Sequence, residues 1–134
     1  MILLDTHIWI WWVDEESSLK KKWRSLLENL PEGEAAISII SCWEVAKKVE
    51  TGKLKLKIPL AKWLPLAIES TGVHIIPLDV KIILDSTSLP GKFHKDPADQ
   101  LIVATSRVKN ISLLTADEKI LKYQFVKLVN SIST

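Results

Sequence analysis

Short apolar runs alternate with amphipathic stretches along the chain, and no internal repeat, low-complexity segment or linker interrupts this alternation. Apolar runs of about four to eight residues between turn residues predict buried strands, whereas apolar residues three and four positions apart predict helices. We therefore expect five strands, at residues 1–4, 35–40, 73–78, 111–114 and 125–129. Helices are predicted between them, at residues 6–13, 17–30, 41–51, 59–70, 79–89, 97–109 and 116–123.

Several residues mark where these helices begin, bend or end. Ser17 or Ser18 is expected to cap the second helix, and Pro65 predicts a kink or a break in the fourth. Helix 97–109 has the strongest pattern, because proline follows aspartate at its first position. Residues 53–58, where lysines alternate with apolar residues, fit a short exposed strand or an extended loop, and residues 90–95 fit a loop.

Strands that alternate with helices imply crossover connections, and hence a mostly parallel sheet of four or five strands with helices on both faces. We therefore expect a three-layer α/β/α fold. The length of 134 residues is typical of one domain, so we expect residues 1–134 to form a single domain. In such folds the functional residues lie at the carboxyl ends of the strands.

Composition excludes several classes of protein. A hydrophobic content of 47% argues against global disorder, and no apolar run approaches the roughly 18 residues of a membrane span. The single cysteine, Cys42, excludes an intramolecular disulfide and a multi-cysteine zinc site. The first residues do not resemble a secretory signal, so we expect a cytoplasmic protein. A net charge of +2 identifies no class of partner by itself.

Four acidic residues each follow a predicted strand or begin a predicted helix, namely Asp5, Glu44, Asp99 and Asp117. Because the strands are expected to be parallel, these positions should face one edge of the sheet. Each acid alone also fits a helix cap, and the spacings Ser41-x-x-Glu44 and Thr115-x-x-Glu118 match a capping box. Carboxylates so close together repel each other, and a divalent cation with oxygen ligands would relieve this repulsion. With Mg²⁺ or Mn²⁺, such a cluster becomes a site for phosphate-ester hydrolysis.

The acids lie in four short motifs, which are ILLDTH at residues 2–7, SCWE at 41–44, HKDPADQLIVAT at 94–105 and LTAD at 114–117. In this order and spacing the motifs resemble the PIN domain, and more closely the VapC-type toxins of prokaryotic toxin–antitoxin pairs. The resemblance extends from Met1 to about Val129. Gln100 and Ser106 depart from it, since many relatives carry arginine and alanine there, but neither departure removes an acidic residue.

The resemblance implies a Mg²⁺- or Mn²⁺-dependent ribonuclease. Asp5 and Asp99 match the most direct metal ligands, and Glu44 and Asp117 match residues that bind a second metal or hold metal-bound waters. Supporting roles fall to Asp96 as the helix N-cap, to Thr6 and to Thr115. The implied reaction is in-line attack of a metal-activated water on an RNA phosphodiester, which leaves a 3′-hydroxyl and a 5′-phosphate.

An acidic site needs a basic rim to bind RNA, because phosphate contacts supply most of the affinity. We expect this rim to consist of Lys47, Lys48, Lys92, His94 and Lys95. The alternative is that the lysines lie on solvated faces and that His94 is an exposed loop residue. His7, two residues after Asp5, is expected to pack under the first helix.

The resemblance further implies two protein partners, a small VapB-like antitoxin that covers the acidic site and a second copy of the chain in a homodimer. The six tryptophans are relevant here, because tryptophan is frequent at interfaces and also stacks on RNA bases. We expect Trp9, Trp12 and Trp43, with helix 59–70, near the antitoxin groove or a dimer interface. Core packing is the alternative for these residues and for Trp63.

Other functions compete with that of a toxin. A PIN nuclease for housekeeping RNA processing would have no antitoxin. A receiver-like signalling module needs an acidic pair after the first strand, whereas Asp5 stands alone there, and Asp79 after the third strand has no matching partners. A PIN domain that only binds would be expected to lack one of the four acids, and none is missing.

Overall fold

The structure is a computed structural model that describes residues 1–129. Within these residues the strands are β1 (Ile2–Leu4), β2 (Ala35–Ser38), β3 (His74–Ile76) and β4 (Ser112–Leu114). The helices are α1 (Thr6–Val13), α2 (Lys21–Glu28), α3 (Ile39–Glu50), α4 (Leu60–Thr71), α5 (Val80–Ser86), α6 (Pro97–Lys109) and α7 (Glu118–Leu121). The single domain predicted for residues 1–134 includes residues 130–134, which lie outside the described residues.

The four strands form one parallel sheet in the order β3-β2-β1-β4. Strand β1 lies inside the sheet, where Leu3 is in register with Ala36 of β2 and with Leu113 of β4. The chain adds β2 and β3 on one side of β1 and then β4 on the other side. Such a change of direction leaves a crevice beyond the carboxyl ends of the two strands that flank it. The predicted α/β fold is confirmed, and its crevice lies beyond β1 and β4.

Apolar side chains pack on both faces of this sheet. One core cluster contains Leu4 with Trp9 and Trp63, and the other contains Leu3 with Ile102. Leu3 and Leu4 are adjacent in β1, so their side chains point to opposite faces and separate the two clusters. Because both faces are covered, the strands are continuous apolar runs rather than alternating ones. The three predicted layers are therefore present.

The start of the second helix differs from its prediction. Helix α2 begins at Lys21, and Lys20 precedes it without a side-chain hydrogen bond to the helix. The expectation that Ser17 or Ser18 caps this helix is therefore wrong. Both serines lie exposed in the turn before Leu19, whose buried side chain joins the core and fixes the chain ahead of the helix.

The proline in the fourth helix does not break it. Helix α4 continues through Pro65 as far as Thr71. Proline removes one hydrogen bond of the helix, but Trp63 and Ala67 on either side are buried and anchor both halves in the core. Packing of an apolar face thus outweighs the local preference of one residue.

The chain leaves β2 earlier than predicted. Ser38 ends the strand and caps α3, since its Oγ accepts a hydrogen bond from the Ile40 amide at 3.1 Å. The capping box predicted for Ser41 and Glu44 is therefore wrong, because both residues lie inside α3. Their side chains are buried and face the crevice beyond β1.

The predicted fifth strand is reduced to one isolated bridge, between Leu113 and Leu128. Phe125 does not join the sheet, because its carbonyl accepts a hydrogen bond from Arg107 at 2.8 Å and its ring packs against Gly91. Residues 53–58 form an extended loop, as one of the two alternatives predicted. None of the helices within residues 1–129 has the length and apolar character needed to cross a membrane.

Candidate active site

Loops and helix starts bring the four predicted acids toward the crevice beyond β1. Asp5 directly follows β1, and Glu44 lies one turn into the helix that follows β2. Asp99 lies in the first turn of α6, and Asp117 directly precedes α7, just after β4. Acids that are up to 112 positions apart in the sequence are thereby gathered at one edge of the sheet.

Asp5 is the most buried of the four, with 3% of its surface exposed. Its Oδ1 accepts a hydrogen bond from the Thr6 amide at 2.8 Å, and its Oδ2 accepts one from Thr115 Oγ1 at 2.6 Å. Burial raises the pKa of Asp5, and the charge of Glu44 raises it further, whereas the two hydrogen bonds oppose the rise. A nearby cation would stabilise this carboxylate, since burial disfavours its charged form.

Glu44 is held by a buried pair of hydroxyl groups. Thr6 Oγ1 donates a hydrogen bond to Glu44 Oε1 at 2.5 Å and lies 2.8 Å from Ser41 Oγ. The Nζ of Lys48 lies 3.6 Å from Glu44 Oε2, and it also lies 3.2 Å from Nε2 of His7. His7 is exposed, so the expectation that it packs under the first helix is wrong. Its ring instead lies on the surface beside Lys48.

The start of α6 fixes the position of Asp99. Asp96 caps this helix as predicted, because its Oδ1 accepts hydrogen bonds from the amides of Ala98 at 2.9 Å and Asp99 at 3.3 Å. The Nε2 of His94 lies 3.0 Å from Asp99 Oδ2, although the two groups are not aligned as a hydrogen bond. Gln100 Nε2 donates to the His94 carbonyl at 3.1 Å and so ties the loop to the helix. His94 is therefore not an exposed loop residue but a neighbour of the acid.

The pKa of Asp99 shows that these acids form one electrostatic cluster. Burial and then the charge of Asp5 raise the pKa of Asp99 to about 8. The charges of Asp96, Glu44 and Asp117 also contribute to this value, in that order of effect. Lys48 and His94 therefore do not balance the negative charge that accumulates around Asp99.

Asp117 stands at the margin of this cluster and caps α7. Its Oδ1 accepts hydrogen bonds from the Lys119 amide at 2.8 Å and the Ile120 amide at 3.3 Å. The capping box predicted for Thr115 and Glu118 is therefore wrong. The alternative in which each acid is a helix cap holds for Asp5 and Asp117 but fails for Glu44, which lies within its helix.

The donor set at the cluster fits a hard divalent cation, because it consists of carboxylate oxygens with an excess of negative charge. Within residues 1–129, no three histidine, cysteine, aspartate or glutamate side chains are already arranged to hold a metal ion. Thr6, Thr115, Lys48 and His94 each engage a carboxylate oxygen. Metal binding would therefore exchange some of these contacts for bonds to the ion.

The predicted basic rim is only partly assembled at the acids. Lys48 and His94 contact two of them. Lys47 instead forms a salt bridge with Glu50, with 2.6 Å between nitrogen and oxygen. Lys92 and Lys95 are exposed on the loop that leads to α6.

The tryptophans divide between core and surface. Trp9 is fully buried and Trp63 is 3% exposed, and their rings pack edge to face with centroids 5.3 Å apart. The expectation that Trp9 lies at a groove or dimer interface is therefore wrong, and Trp12 is also half-buried against the same core. Trp43 differs, because 54% of its surface is exposed on α3.

Sequence reasoning missed the hydroxyl contacts of Ser41 and the pairing of Lys48 with His7. Ser41 lies inside a motif that was identified, but its match to a capping box suggested a different role. Nothing local in the sequence brings His7 next to Lys48, because the contact depends on how α1 packs against α3.

Comparison with known proteins assigns the chain to a family. The model of the PIN domain matches residues 2–126. Ribonuclease VapC22 of Mycobacterium tuberculosis is 31% identical over 119 residues, which cover 89% of this chain and 88% of that protein.

Solved structures share the fold. The crystal structure of FitAcB from Neisseria gonorrhoeae covers 97% of each chain with a TM-score of 0.70 and 21% identity. A toxin–antitoxin complex from Klebsiella pneumoniae also covers 97% of each chain, with a TM-score of 0.66 and 22% identity. The match of the family model and the identity to ribonuclease VapC22 show that the chain belongs to the PIN-domain family and, within it, to the VapC-type proteins.

Proposed function

We propose that this chain is a metal-dependent endoribonuclease that hydrolyses RNA phosphodiester bonds and acts as the toxin of a toxin–antitoxin pair. The observation that carries the proposal is the convergence of buried Asp5 and Glu44 with the helix start that bears Asp99, beyond β1. Such an excess of carboxylate charge fits a cation-assisted reaction at a phosphate. The relative named as a ribonuclease, with 31% identity over most of both chains, supports the same activity.

The acids take different roles in this proposal. Asp5 and Asp99 would hold Mg²⁺ or Mn²⁺ directly, and Glu44 and Asp117 would hold a second ion or its waters. When bound, the metal orients the phosphate, lowers the pKa of a water and stabilises the leaving oxygen. The positioning residues are Thr6, Asp96 and Thr115. Thr6 and Thr115 donate hydrogen bonds to the carboxylates of Glu44 and Asp5, as groups behind metal ligands commonly do. Asp96 caps the helix start that bears Asp99.

RNA binding falls to the basic residues around the acids, which are Lys47, Lys48, Lys92, His94 and Lys95. Their positive charge offsets the repulsion between the acidic cluster and the RNA backbone. Lys48 and His94 lie nearest the reacting phosphate in this arrangement, since each contacts one of the four acids. Lys47 contributes least, because Glu50 already neutralises it.

Two protein partners complete the proposal, an antitoxin and a second copy of the chain. Large apolar side chains are exposed on two helices, with Ile39 and Trp43 one turn apart on α3 and Leu66 on α4. We assign this surface to the antitoxin. The likeness to a solved toxin–antitoxin complex supports such a partner. The homodimer is what the resemblance to VapC-type toxins implies.

A housekeeping PIN nuclease without an antitoxin is the second candidate within the same family. The exposed apolar surface on α3 and α4 favours the toxin, since a partner would cover it. A receiver-like module is disfavoured, because Asp79 caps α5 and lies 2.9 Å from Lys109 rather than among the other acids.

The first experiment compares cleavage of a mixed RNA pool in Mg²⁺, in Mn²⁺ and in EDTA by the purified full chain. We expect metal-dependent cleavage that Asp5→Asn and Asp99→Asn abolish. The matched control is Asp79→Asn, which alters a capping aspartate outside the cluster and should leave cleavage unchanged. Cleavage that survives EDTA or both site variants contradicts the proposal.

A second experiment separates the toxin from a housekeeping nuclease. The wild-type chain and Asp5→Asn are expressed without any partner in a bacterial host. A toxin arrests growth in the wild-type form only, whereas normal growth of the host with active enzyme favours housekeeping RNA processing.

A further inference from the structure

A cavity of about 490 Å³ lies beside the acidic cluster and opens between the loop that precedes α6 and the chain that follows α7. Residues 91–94, Lys119 and residues 122–125 line it, and we refer to it as the aromatic pocket. We propose that the aromatic pocket binds one unpaired nucleotide of the RNA, next to the phosphodiester that the acids hydrolyse. This inference rests on the proposed nuclease function and identifies a substrate subsite for it.

The pocket offers a ring face on which a base can stack. Phe125 is 40% exposed, and the ring of Tyr123 supports it from below with centroids 5.7 Å apart. Phe93 packs on the other side of Tyr123 at 4.9 Å. Stacking of bases on aromatic side chains is the usual way in which proteins hold single-stranded RNA. An exposed phenylalanine supported by further rings is suited to that task.

The rings are fixed before any ligand arrives. The Tyr123 hydroxyl donates a hydrogen bond to the Pro90 carbonyl at 2.5 Å, and the Phe125 carbonyl accepts one from Arg107. Gly91 suits its place beneath the Phe125 ring, because its φ of +66° favours glycine and a Cβ there would lie 2.9 Å from Phe125 Cε2. A pocket built in this way loses little conformational entropy when a base binds.

Charge around the pocket selects an anionic ligand. Lys92, Lys119 and Lys122 line it, and none of the nine lining residues carries a carboxylate side chain. The combination of an aromatic face with three cations matches a nucleotide. Its base would stack on the aromatic face, and its phosphate would pair with the cations. An apolar peptide segment would use the rings but would leave the lysines without a partner.

The pocket is continuous with the acidic cluster through His94. This residue lines the pocket, and its Nε2 lies 3.0 Å from Asp99 Oδ2. A nucleotide in the pocket is therefore separated from Asp99 by a single side chain. The volume of the aromatic pocket falls in the range of about 300–1,000 Å³ that is typical of small-ligand sites. This size and position favour a nucleotide that directly flanks the cut phosphate rather than a distant part of the RNA.

The test measures binding of a short, fluorescently labelled, random-sequence single-stranded RNA to the full chain in EDTA, so that cleavage does not interfere. Phe125→Leu removes the aromatic face and keeps an apolar side chain, and Phe125→Tyr keeps the ring. The double variant Lys119→Gln with Lys122→Gln removes two charges. Its matched control is Lys62→Gln with Lys81→Gln, two exposed lysines on α4 and α5 that lie outside the pocket.

We expect Phe125→Leu to weaken RNA binding about tenfold and Phe125→Tyr to retain it. The Lys119 and Lys122 double variant should reduce the slope of log K against log salt by about 1.4, since each lost phosphate contact on single strands removes about 0.7. The control pair should leave the slope unchanged. In the wild-type chain, ultraviolet cross-links from thiouridine-containing RNA should map to residues 123–125, a readout that does not depend on how the variants fold.

Wild-type RNA binding that all pocket variants preserve, with cross-links elsewhere, overturns the inference, and so does a wild-type chain that binds no RNA. The nuclease proposal fails separately, through absence of the metal-dependent cleavage that Asp5→Asn should abolish. Pocket-dependent RNA binding without cleavage would therefore refute the nuclease but keep the nucleotide site.

Discussion

Thr115 Oγ1 donates a hydrogen bond to Asp5 Oδ2 at 2.6 Å, although the two residues are 110 positions apart in the sequence. The same hydroxyl accepts a hydrogen bond from the Asp117 amide at 3.0 Å. One side chain thus connects the segments that follow the adjacent strands β1 and β4. The Thr115 side chain therefore helps to fix the position of Asp5 relative to Asp117.

Thr115→Val keeps the shape of this side chain but removes its hydroxyl. We expect binding of Mg²⁺ and the cleavage rate to fall by about 10–100-fold, because groups that orient metal ligands commonly contribute this much. Titration of Mg²⁺ in the RNA cleavage assay measures the change. Thr105→Val is the control, since the buried Thr105 hydroxyl donates only within its own helix, to Leu101 at 2.7 Å. Equal losses in both variants would assign Thr115 to stability rather than to orientation.

Thr6→Val removes the hydroxyl that joins α1 to α3. Its Oγ1 contacts both Ser41 and Glu44, so the variant leaves a buried carboxylate without its donor. We expect the free energy of unfolding to fall by about 1.5–3 kcal/mol, the range for hydrogen bonds to charged groups. Urea denaturation of the metal-free chain measures this value. Thr6→Ser retains the hydroxyl and should recover most of the loss, and a Thr6→Val chain as stable as the wild type would contradict the assigned role.

The overall fold could be predicted because apolar runs and helical spacing are local signals. Packing of the sheet between its two covering layers favours the same strands and helices. Strands β1 and β4 and helix α6 follow the pattern closely. The errors arise where a long-range contact decides the outcome. Residues 125–129 carry a strand pattern, yet the bond from Arg107 and the packing on Gly91 hold Phe125 away from β4.

The candidate site shows the same division between local and long-range signals. The motifs identified the acids themselves, since Asp5, Asp99 and Asp117 lie at a strand end or helix start and Glu44 lies one turn into α3. They did not identify which groups hold those acids, because Thr6 reaches Glu44 only after α1 has packed against α3. Phe125 and Lys122 of the aromatic pocket lie outside every motif, and only the folded chain brings them next to His94.

Trp9→Ala and Trp43→Ala should have opposite consequences. Trp9 is fully buried against Trp63, so its removal is expected to lower the free energy of unfolding by about 3–5 kcal/mol. Trp43 is 54% exposed, and its removal should change stability by less than about 0.5 kcal/mol. Chemical denaturation of the two variants measures both values. A strongly destabilised Trp43→Ala chain would place this residue in the packing of the monomer and argue against a partner surface on α3.

Asp99 makes the stability of the metal-free chain depend on pH. The shift in its pKa determines whether stability rises or falls as pH increases. Its pKa rises from 3.8 to about 8 on folding, first because of burial and then because of Asp5 and the other acids. Between these values the folded chain binds more protons at this group than the unfolded chain does. Stability contributed by the protonated form is therefore complete below about pH 4 and declines as pH rises toward 8.

Asp99→Asn removes this titration, so the melting temperature of the variant minus that of the wild type should increase from about pH 4 to about pH 8 and then level off. Calorimetry in EDTA across this range measures the difference. Mg²⁺ should reduce this difference in melting temperature, because an ion bound by the wild type stabilises the ionised carboxylate that the variant lacks.

Asp79→Asn is the control, because the pKa of Asp79 is lowered in the folded chain whereas that of Asp99 is raised. The bonds from Ile82 and Lys109 lower the pKa of Asp79, so that carboxylate loses its stabilising effect only in acid, below its usual pKa of 3.8. A difference for Asp99→Asn that stays constant from pH 4 to 8 would mean that burial and the surrounding acids do not raise the pKa of Asp99.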